Sequence, residues 1–227
     1  MSAYTLITKG DSMIRKLKET WISLSRKKKI TILISTILII SIIGVVLIKN
    51  PNILKRPTLT LVPPSPIEVS DKNEFNIDVK LSSLPKNLYP AASMSVGFDN
   101  NKLEFTGVKI GTMQTYGDKV VDGNEFDIPL WDCNKDVSNK KGQVNTMYMD
   151  MTAGKFAYNK DGFEKDSKDI VLRLGFKLKD SSNKGDVYDI DIKNAVFAAI
   201  DGDKDNTSLS TSKNTLKTND CKVVVKK

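Results

Sequence analysis

The feature that most constrains this chain is a run of nineteen uncharged residues at positions 30–48. At the rise of an α-helix the run would be about 28 Å long, which matches the hydrocarbon core of a bilayer. Its few polar side chains are hydroxyls, which can bond back to carbonyls of their own helix. The run therefore predicts a transmembrane helix over residues 30–48.

The flanks of this run predict whether it is cleaved and how it is oriented in the membrane. The segment that follows, LIKNPNILKRP, lacks the small-residue site at which a signal peptide is cleaved, so we expect an uncleaved signal anchor. Eight Lys and Arg precede the run and three follow it within residues 49–56. Because positive residues stay on the cytoplasmic side, we expect a single-pass cell-membrane protein with a cytoplasmic N-terminus and an extracellular C-terminal domain.

The net charge of +8 raises the question of nucleic-acid binding. Residues 1–29 carry +6 and residues 49–56 carry +3, so residues 57–227 sum to −1. The basic character thus belongs to the flanks of the apolar run, where anionic membrane lipid is the expected partner, and nucleic acid is not. Residues 13–24 have the spacing of an interfacial helix anchored by Trp21, although a plain topology signal explains them more simply.

Beyond a linker at residues 49–56, the sequence reads as short strands separated by Gly, Asn, Asp, Ser and Pro. Apolar and polar residues alternate with the period of a half-buried strand, so two sheets must pack face to face to cover the apolar sides. We expect an all-β, nine-stranded jelly-roll β-sandwich over residues 57–227. The predicted strands are 59–62, 75–81, 93–98, 103–110, 125–130, 144–151, 172–178, 187–197 and 222–225.

Five segments of this domain together resemble the cohesin family. They are TLTLVPPSPIEVSDKNEFNIDVKLSSLP, AASMSVGFDNNKLEFTGVKIG, GQVNTMYMDMTAGKFAYNKDGF, DIVLRLGFKLKDSSNKGDVYDIDI and the closing CKVVV. The most specific piece is FDNNKLEF at residues 98–105. The resemblance implies a nine-stranded sandwich that binds the dockerin modules of carbohydrate-degrading enzymes in cellulosome-like assemblies.

The resemblance also implies where a partner would bind. Cohesins dock dockerins on the outer face of the sheet that holds the third, fifth and sixth strands. On the third strand the expected outward residues are Ser93, Ser95 and Gly97, because Met94 and Val96 alternate with them. The sixth strand has two alternating sets that compete, and we expect Tyr148 and Asp150 of that strand to face outward.

Nothing in the sequence points to catalysis. The chain contains no histidine, which excludes a Ser-His-Asp or Cys-His centre. Carboxylate pairs remain possible in principle, but the Asp and Glu residues fall mostly in turns beside Lys and Gly, as solvated loop charge does. We therefore expect a binding module with no enzymatic activity and no cofactor.

Two possible local sites stay open on the sequence. Asp201, Asp203 and Asp205 alternate as calcium ligands do, but Asn206 stands where a calcium loop has Gly, so an acidic turn and no metal is the simpler expectation. Cys133 and Cys221 lie in a compartment where a disulfide could persist, yet the family topology places them at different ends of the sheets.

A polysaccharide is the alternative partner. Direct sugar binding would need exposed aromatic rings in a row, and the outer domain has one tryptophan, Trp131, with scattered tyrosines. The sequence also leaves open a purely structural surface domain. We place protein binding first and polysaccharide binding second.

Overall fold

The computed structural model describes residues 25–49, 56–70, 73–115, 120–121, 124–125, 130–152, 156–201 and 207–226. The chain divides into two compact units, Met1–Lys55 and Arg56–Lys227. The predicted interfacial helix at residues 13–24 and most of the linker lie outside the described residues.

The first unit contains helix α1, Arg26–Lys49, which covers the predicted apolar helix. Thr36 and Ser41 each donate a hydrogen bond to the carbonyl four residues earlier, as expected for hydroxyls inside a helix. The described Ile and Leu side chains of α1 are exposed, with Ile34 and Leu38 each at 61%. Within the described part of the chain, no helix combines the length and the apolar character that crossing a membrane requires.

The described residues of the second unit form β-strands and one short helix, α2, at Lys135–Lys141. The strands are β1 Thr58–Val62, β2 Phe75–Leu81, β3 Leu88–Tyr89, β4 Ala91–Gly97, β5 Leu103–Ile110, β6 Val120–Val121, β7 Asn124–Glu125, β8 Asp132–Cys133, β9 Gln143–Met149, β10 Tyr158–Asn159, β11 Ile170–Leu178, β12 Val187–Ala198, β13 Leu209–Ser210, β14 Lys217–Asn219 and β15 Cys221–Val224.

These strands form two main sheets. The first sheet has the order β14-β1-β2-β11-β5, and the second has the order β13-β12-β4-β9-β8 with β15 also paired to β12. Neighbours in both sheets are antiparallel except β1 and β14, which run parallel. Short pairs β3-β10 and β6-β7 stand apart.

One continuous core joins the two sheets, because each contributes its alternate side chains to the same cluster. Strand β2 buries Ile77, Val79 and Leu81, while β4 of the other sheet buries Met94 and Val96. Aromatic rings bridge the layers at one end, where the ring centroids of Phe98, after β4, and Phe176, in β11, are 5.2 Å apart. Burial of these apolar faces is what holds the sandwich together.

Helix α2 protects the free edge of β5. Asn139 on the helix accepts a hydrogen bond from the Phe105 amide and donates one to the Phe105 carbonyl, both at 2.8 Å, as a neighbouring strand would. The helix begins at the cap Asn134, whose side chain accepts from the Val137 amide. It ends at Gly142, where φ is 66°.

The coarse fold prediction is confirmed: the second unit is a mostly β, sandwich-like arrangement. Eight of the nine predicted strands coincide in position with β1, β2, β4, β5, β9, β11, β12 and β15. The remaining one, at 125–130, falls largely on residues outside the described part of the chain. The strand of the second sheet that lies next along the chain is β8.

Candidate binding surface

The outward face of the second sheet can be laid out from its register. Strand β4 is central, and each of its outward residues faces one residue of β9 on one side and one of β12 on the other. The four resulting rows are Met149-Ala91-Ala198, Met147-Ser93-Val196, Asn145-Ser95-Asn194 and Gln143-Gly97-Asp191. Three of the rows contain no charged side chain. We call these four rows the sheet face.

The rows through Ser95 and Gly97 are held by polar contacts. The Ser95 hydroxyl donates to Oδ1 of Asn145 at 2.6 Å, and the Gln143 amide donates to the same oxygen at 2.8 Å. On the β12 side, the Thr211 hydroxyl donates to Oδ1 of Asn194 at 2.6 Å. Neutral, short side chains tied to their neighbours give this part of the surface a defined shape at little entropic cost.

The rows through Ala91 and Ser93 carry large, exposed apolar side chains at their β9 end. Met147 is 47% exposed and Met149 is 53% exposed, and Met151 just beyond β9 is 83% exposed. Leu130, which precedes β8, is 68% exposed. Large apolar side chains grouped on a surface are a mark of an interaction site.

The predicted outward residues of β4 are placed as expected in two cases out of three. Ser93 is exposed and Ser95 is half-buried, both on the sheet face. Gly97 lies on the same face but is buried. A Cβ at Gly97 would lie 2.6 Å from Oδ1 of Asp191 and 2.9 Å from Cε of Lys193, which shows that these two side chains cover the glycine.

The expectation for β9 was wrong. Tyr148 is only 4% exposed: its ring packs against Trp131 and Tyr158, and its hydroxyl donates to the Phe156 carbonyl. Burial raises the pKa of this tyrosine above its ordinary value. The outward residues of β9 are instead the opposite set, Asn145, Met147 and Met149.

Asp150 lies after β9 and is half-buried. Its carboxylate accepts hydrogen bonds from the amide and hydroxyl of Thr152 and from the amide of Phe156. It therefore shapes the chain after β9. One signal in the sequence favours the observed outward set of β9, because Val144 is apolar and β-branched and Asn145 is polar, but the two apolar methionines of β9 favour the opposite set.

Aromatic side chains do not form a platform on the described surface. Trp131 is 5% exposed, and its indole N–H donates to the Tyr158 hydroxyl at 2.9 Å in the core. Among the residues that the structure describes, no aromatic ring is exposed. The stacking surface that a polysaccharide would use is therefore not formed by these residues.

The remaining candidates from the sequence are the acidic turn after β12 and the two cysteines. Asp201 is exposed in the turn after β12, whereas Asp203 and Asp205 lie outside the described residues. Across the described residues, no group of three or more potential metal-binding side chains converges. Cys133 and Cys221 are both free thiols, and desolvation raises the pKa of Cys221 to about 11.

The outward face of the first sheet is charged and self-paired. Nε of Arg173 lies 3.1 Å from a carboxylate oxygen of Asp78, and Lys80 lies 3.3 Å from Asp169. Lys109 pairs with Glu74, and this contact lowers the pKa of the Glu74 carboxyl. The two outward faces of the sandwich thus differ in kind.

Comparison with solved structures identifies the fold. The seventh ScaB type I cohesin from Pseudobacteroides cellulosolvens matches with a TM-score of 0.50 and 15% identity, over 75% of this chain and 92% of that one. The sixth cohesin of scaffoldin B from Acetivibrio cellulolyticus, solved with a dockerin, matches with a TM-score of 0.51 and 19% identity, over 75% and 99%.

A type I cohesin–dockerin complex from Clostridium thermocellum matches with a TM-score of 0.52 and 14% identity, over 75% of this chain and 94% of that chain. No protein-family model matches the sequence. No curated protein matches it by sequence. The matches to solved structures show that the second unit has the cohesin fold.

Proposed function

We propose that the Arg56–Lys227 unit is a non-catalytic binding module that takes a dockerin-type protein module on its sheet face. The observation that carries the proposal is the sheet face itself, which is open, ordered and nearly uncharged. The Acetivibrio cellulolyticus and Clostridium thermocellum neighbours described above were both solved in complex with dockerins. A flat surface that combines hydrogen-bonding groups with exposed methionines suits a protein partner.

Direct capture tests the proposal. The full chain in detergent micelles would be immobilised and exposed to a panel of purified dockerin modules, with binding followed by surface plasmon resonance. Saturable binding of at least one dockerin is expected. If none of the dockerins in the panel binds, even at high concentration, the proposed function is wrong.

The substitution Ser95→Arg tests whether the sheet face is the interface. Ser95 stands in the central strand, so an arginine there would project a long charged side chain into the contact and should weaken dockerin binding about a hundredfold or more. Thr60→Arg is the matched control, because it places an arginine at a half-buried position of β1 in the opposite sheet.

Both variants should melt at the wild-type temperature, since neither residue is fully buried. Thr60→Arg should bind as the wild type does. Unchanged binding by Ser95→Arg would place the interface elsewhere on the module.

We also propose that the chain is anchored in the cell membrane with its N-terminus in the cytoplasm and its binding module outside. The support comes from the sequence: the uncharged run at 30–48 and the excess of Lys and Arg before it. The same basic segment would contact anionic lipid headgroups. Eight linker residues reach at most about 28 Å, so the partner would be held close to the bilayer.

Protease added to intact cells checks the anchoring proposal. The second unit should be digested from outside while the N-terminal segment is protected, and a second unit that is protected in intact cells but digested after lysis would contradict the orientation. Recovery of the chain in the soluble fraction after carbonate extraction would contradict membrane insertion.

A polysaccharide partner is the alternative from the sequence, and no observation on the described residues favours it. A polysaccharide array probed with the same full chain in detergent micelles separates dockerin binding from polysaccharide binding. Retention by a glycan together with no dockerin binding would replace the proposal.

A further inference from the structure

Two adjoining depressions run along the edge of the second sheet beside the sheet face. One has a volume of about 440 Å³ and is lined by Asp132, Asp136 and Met147, and the other, of about 360 Å³, is lined by Leu130, Met149 and Met151. They share Asp132 and Met147. We call this continuous depression the methionine groove.

The half of the methionine groove that is lined by Leu130, Met149 and Met151 is mainly apolar and adaptable. Methionine is unbranched and polarisable, so it can reshape to fit an incoming side chain. Leaving Met147 and Met149 about half exposed has a cost in water that contact with a partner would remove. Because Met147 also belongs to the sheet face, the groove continues the proposed interface outward past its edge strand.

Of the described residues that line the groove, the charged ones are mainly acidic. Asp132 and Asp136 have no ion-pair partner among the described residues, and Asp150 accepts hydrogen bonds only from Thr152 and Phe156 within that same part of the chain. Among the described residues that line the groove, the one ammonium group belongs to Lys135, and it lies 3.9 Å from Glu104. Carboxylates that the fold leaves unneutralised would attract a cationic partner group.

We propose that the methionine groove binds a segment of the partner protein that carries leucine- or isoleucine-like side chains flanked by Lys or Arg. The apolar side chains enter between Met147, Met149 and Leu130, and the cationic groups lie against Asp132 and Asp136. The inference rests on the proposed function for the nature of the partner, and it adds which partner segments the module selects. Charge complementarity and continuity with the sheet face support this occupant.

Methyl NMR tests the proposal without any dockerin. The full chain, labelled at methionine methyl groups and held in zwitterionic nanodiscs, would be titrated with the acetylated tetrapeptide amide Leu-Lys-Leu-Lys and with its counterpart Leu-Glu-Leu-Glu. The basic peptide should shift the resonances of Met147 and Met149 at an apparent Kd about fivefold lower than the acidic peptide. The buried Met94 and Met113 serve as internal references that should not shift.

The double variant Asp132→Asn, Asp136→Asn should abolish the preference for the basic peptide. The double variant Met147→Gln, Met149→Gln should weaken binding of both peptides about tenfold, because it removes apolar contact. Asp189→Asn is the control, because it removes an exposed carboxylate from the far half of β12 and should change nothing. Equal affinity for the two peptides in the wild type, or shifts confined to other methionines, would overturn the proposal.

A second arm separates this inference from the proposed function. If a dockerin binds the wild type and binds the Asp132→Asn, Asp136→Asn and the Met147→Gln, Met149→Gln variants equally well, the groove proposal is wrong and the function stands. If no dockerin binds while the basic peptide still prefers the groove, the dockerin function is wrong and the groove proposal stands.

Discussion

The two outward faces of the sandwich are made by the same kind of strand and present opposite chemistry. The first sheet carries Lys80, Lys109 and Arg173, each paired with a carboxylate of the same sheet or its flanking loops. The second sheet carries Ser, Ala, Asn, Val and Met in its central rows. A partner on the first face would have to desolvate or break existing ion pairs, whereas the second face loses only water from short or apolar groups.

The difference gives a physical reason to expect a partner on the second sheet, because the first sheet has already paired the charges of Lys80, Lys109 and Arg173. The ion pairs of the first face give it solubility and some stability. On the sheet face, polar side chains form hydrogen bonds with their neighbours, as Ser95 does with Asn145. The methionines of that face stay exposed to water. Stability and binding should therefore respond to different faces, and substitutions can test that separation.

Adding a methyl group at a central glycine of each face should have the largest effect on stability. A Cβ at Gly175 would lie 2.4 Å from Oγ1 of Thr106, a short β-branched side chain that cannot retreat, whereas at Gly97 the nearest atoms end the flexible side chains of Asp191 and Lys193. Gly175→Ala should lower the free energy of unfolding by about 2 kcal/mol and Gly97→Ala by less than about 1 kcal/mol.

Urea unfolding followed by circular dichroism measures both changes. The opposite order, with Gly97→Ala the more damaging, would show that Asp191 and Lys193 are held more rigidly over Gly97 than Thr106 is over Gly175. That result would contradict the expectation that the side chains of Asp191 and Lys193 move aside.

Removing the cation of the Asp78–Arg173 pair should have the next largest effect. Arg173 also donates to the Ile110 carbonyl at 2.9 Å, so Arg173→Met leaves two acceptors without a donor and should cost about 1 to 2 kcal/mol of stability. Dockerin binding should not change. Lys193→Met, which breaks an exposed pair with Asp191 on the sheet-face side, should leave the thermal midpoint where it is.

Loss of dockerin binding in Arg173→Met, at a temperature where the variant is fully folded, would contradict the assignment of binding to the second sheet alone. Calorimetry of unfolding and plasmon resonance on the same preparations make the two measurements comparable.

The smallest effect is expected from pH acting on Glu74. Its folded pKa lies below the ordinary value of 4.5, first because of the hydrogen bond with Lys109. A lowered carboxyl pKa stabilises the fold fully above 4.5, and that contribution is lost as the pH falls through the folded pKa. Glu74→Gln should therefore cost less than about 1 kcal/mol at neutral pH and nothing in strong acid, since water screens this partly exposed pair.

The same variant should lose part of the salt dependence of stability, because salt screens the pair in the wild type. Thermal midpoints measured from neutral to acid pH at low and high salt would show this. Curves for Glu74→Gln and the wild type that stay parallel into strong acid would mean that the pair on the first face contributes nothing.

Much of the fold was predictable because strand alternation is a local signal. Met94, Val96 and Phe98 alternate with Ser93 and Ser95, so the inner and outer sides of β4 could be assigned from the sequence. The burial of Gly97 could not, because it depends on two side chains of β12, a strand more than ninety residues away. The methionine groove was missed for a related reason, since it forms where β8 meets β9.

By itself the sequence determined that the second unit is a two-layer β fold, that its surface charge is nearly balanced and that its N-terminal side holds one long apolar run. Each of these follows from residue type at fixed spacing along the chain. Only the tertiary structure decided which set of β9 residues faces water, because both sets contain apolar side chains. The packing of Tyr148 between Trp131 and Tyr158 settles that choice, and with it the exposure of Met147 and Met149.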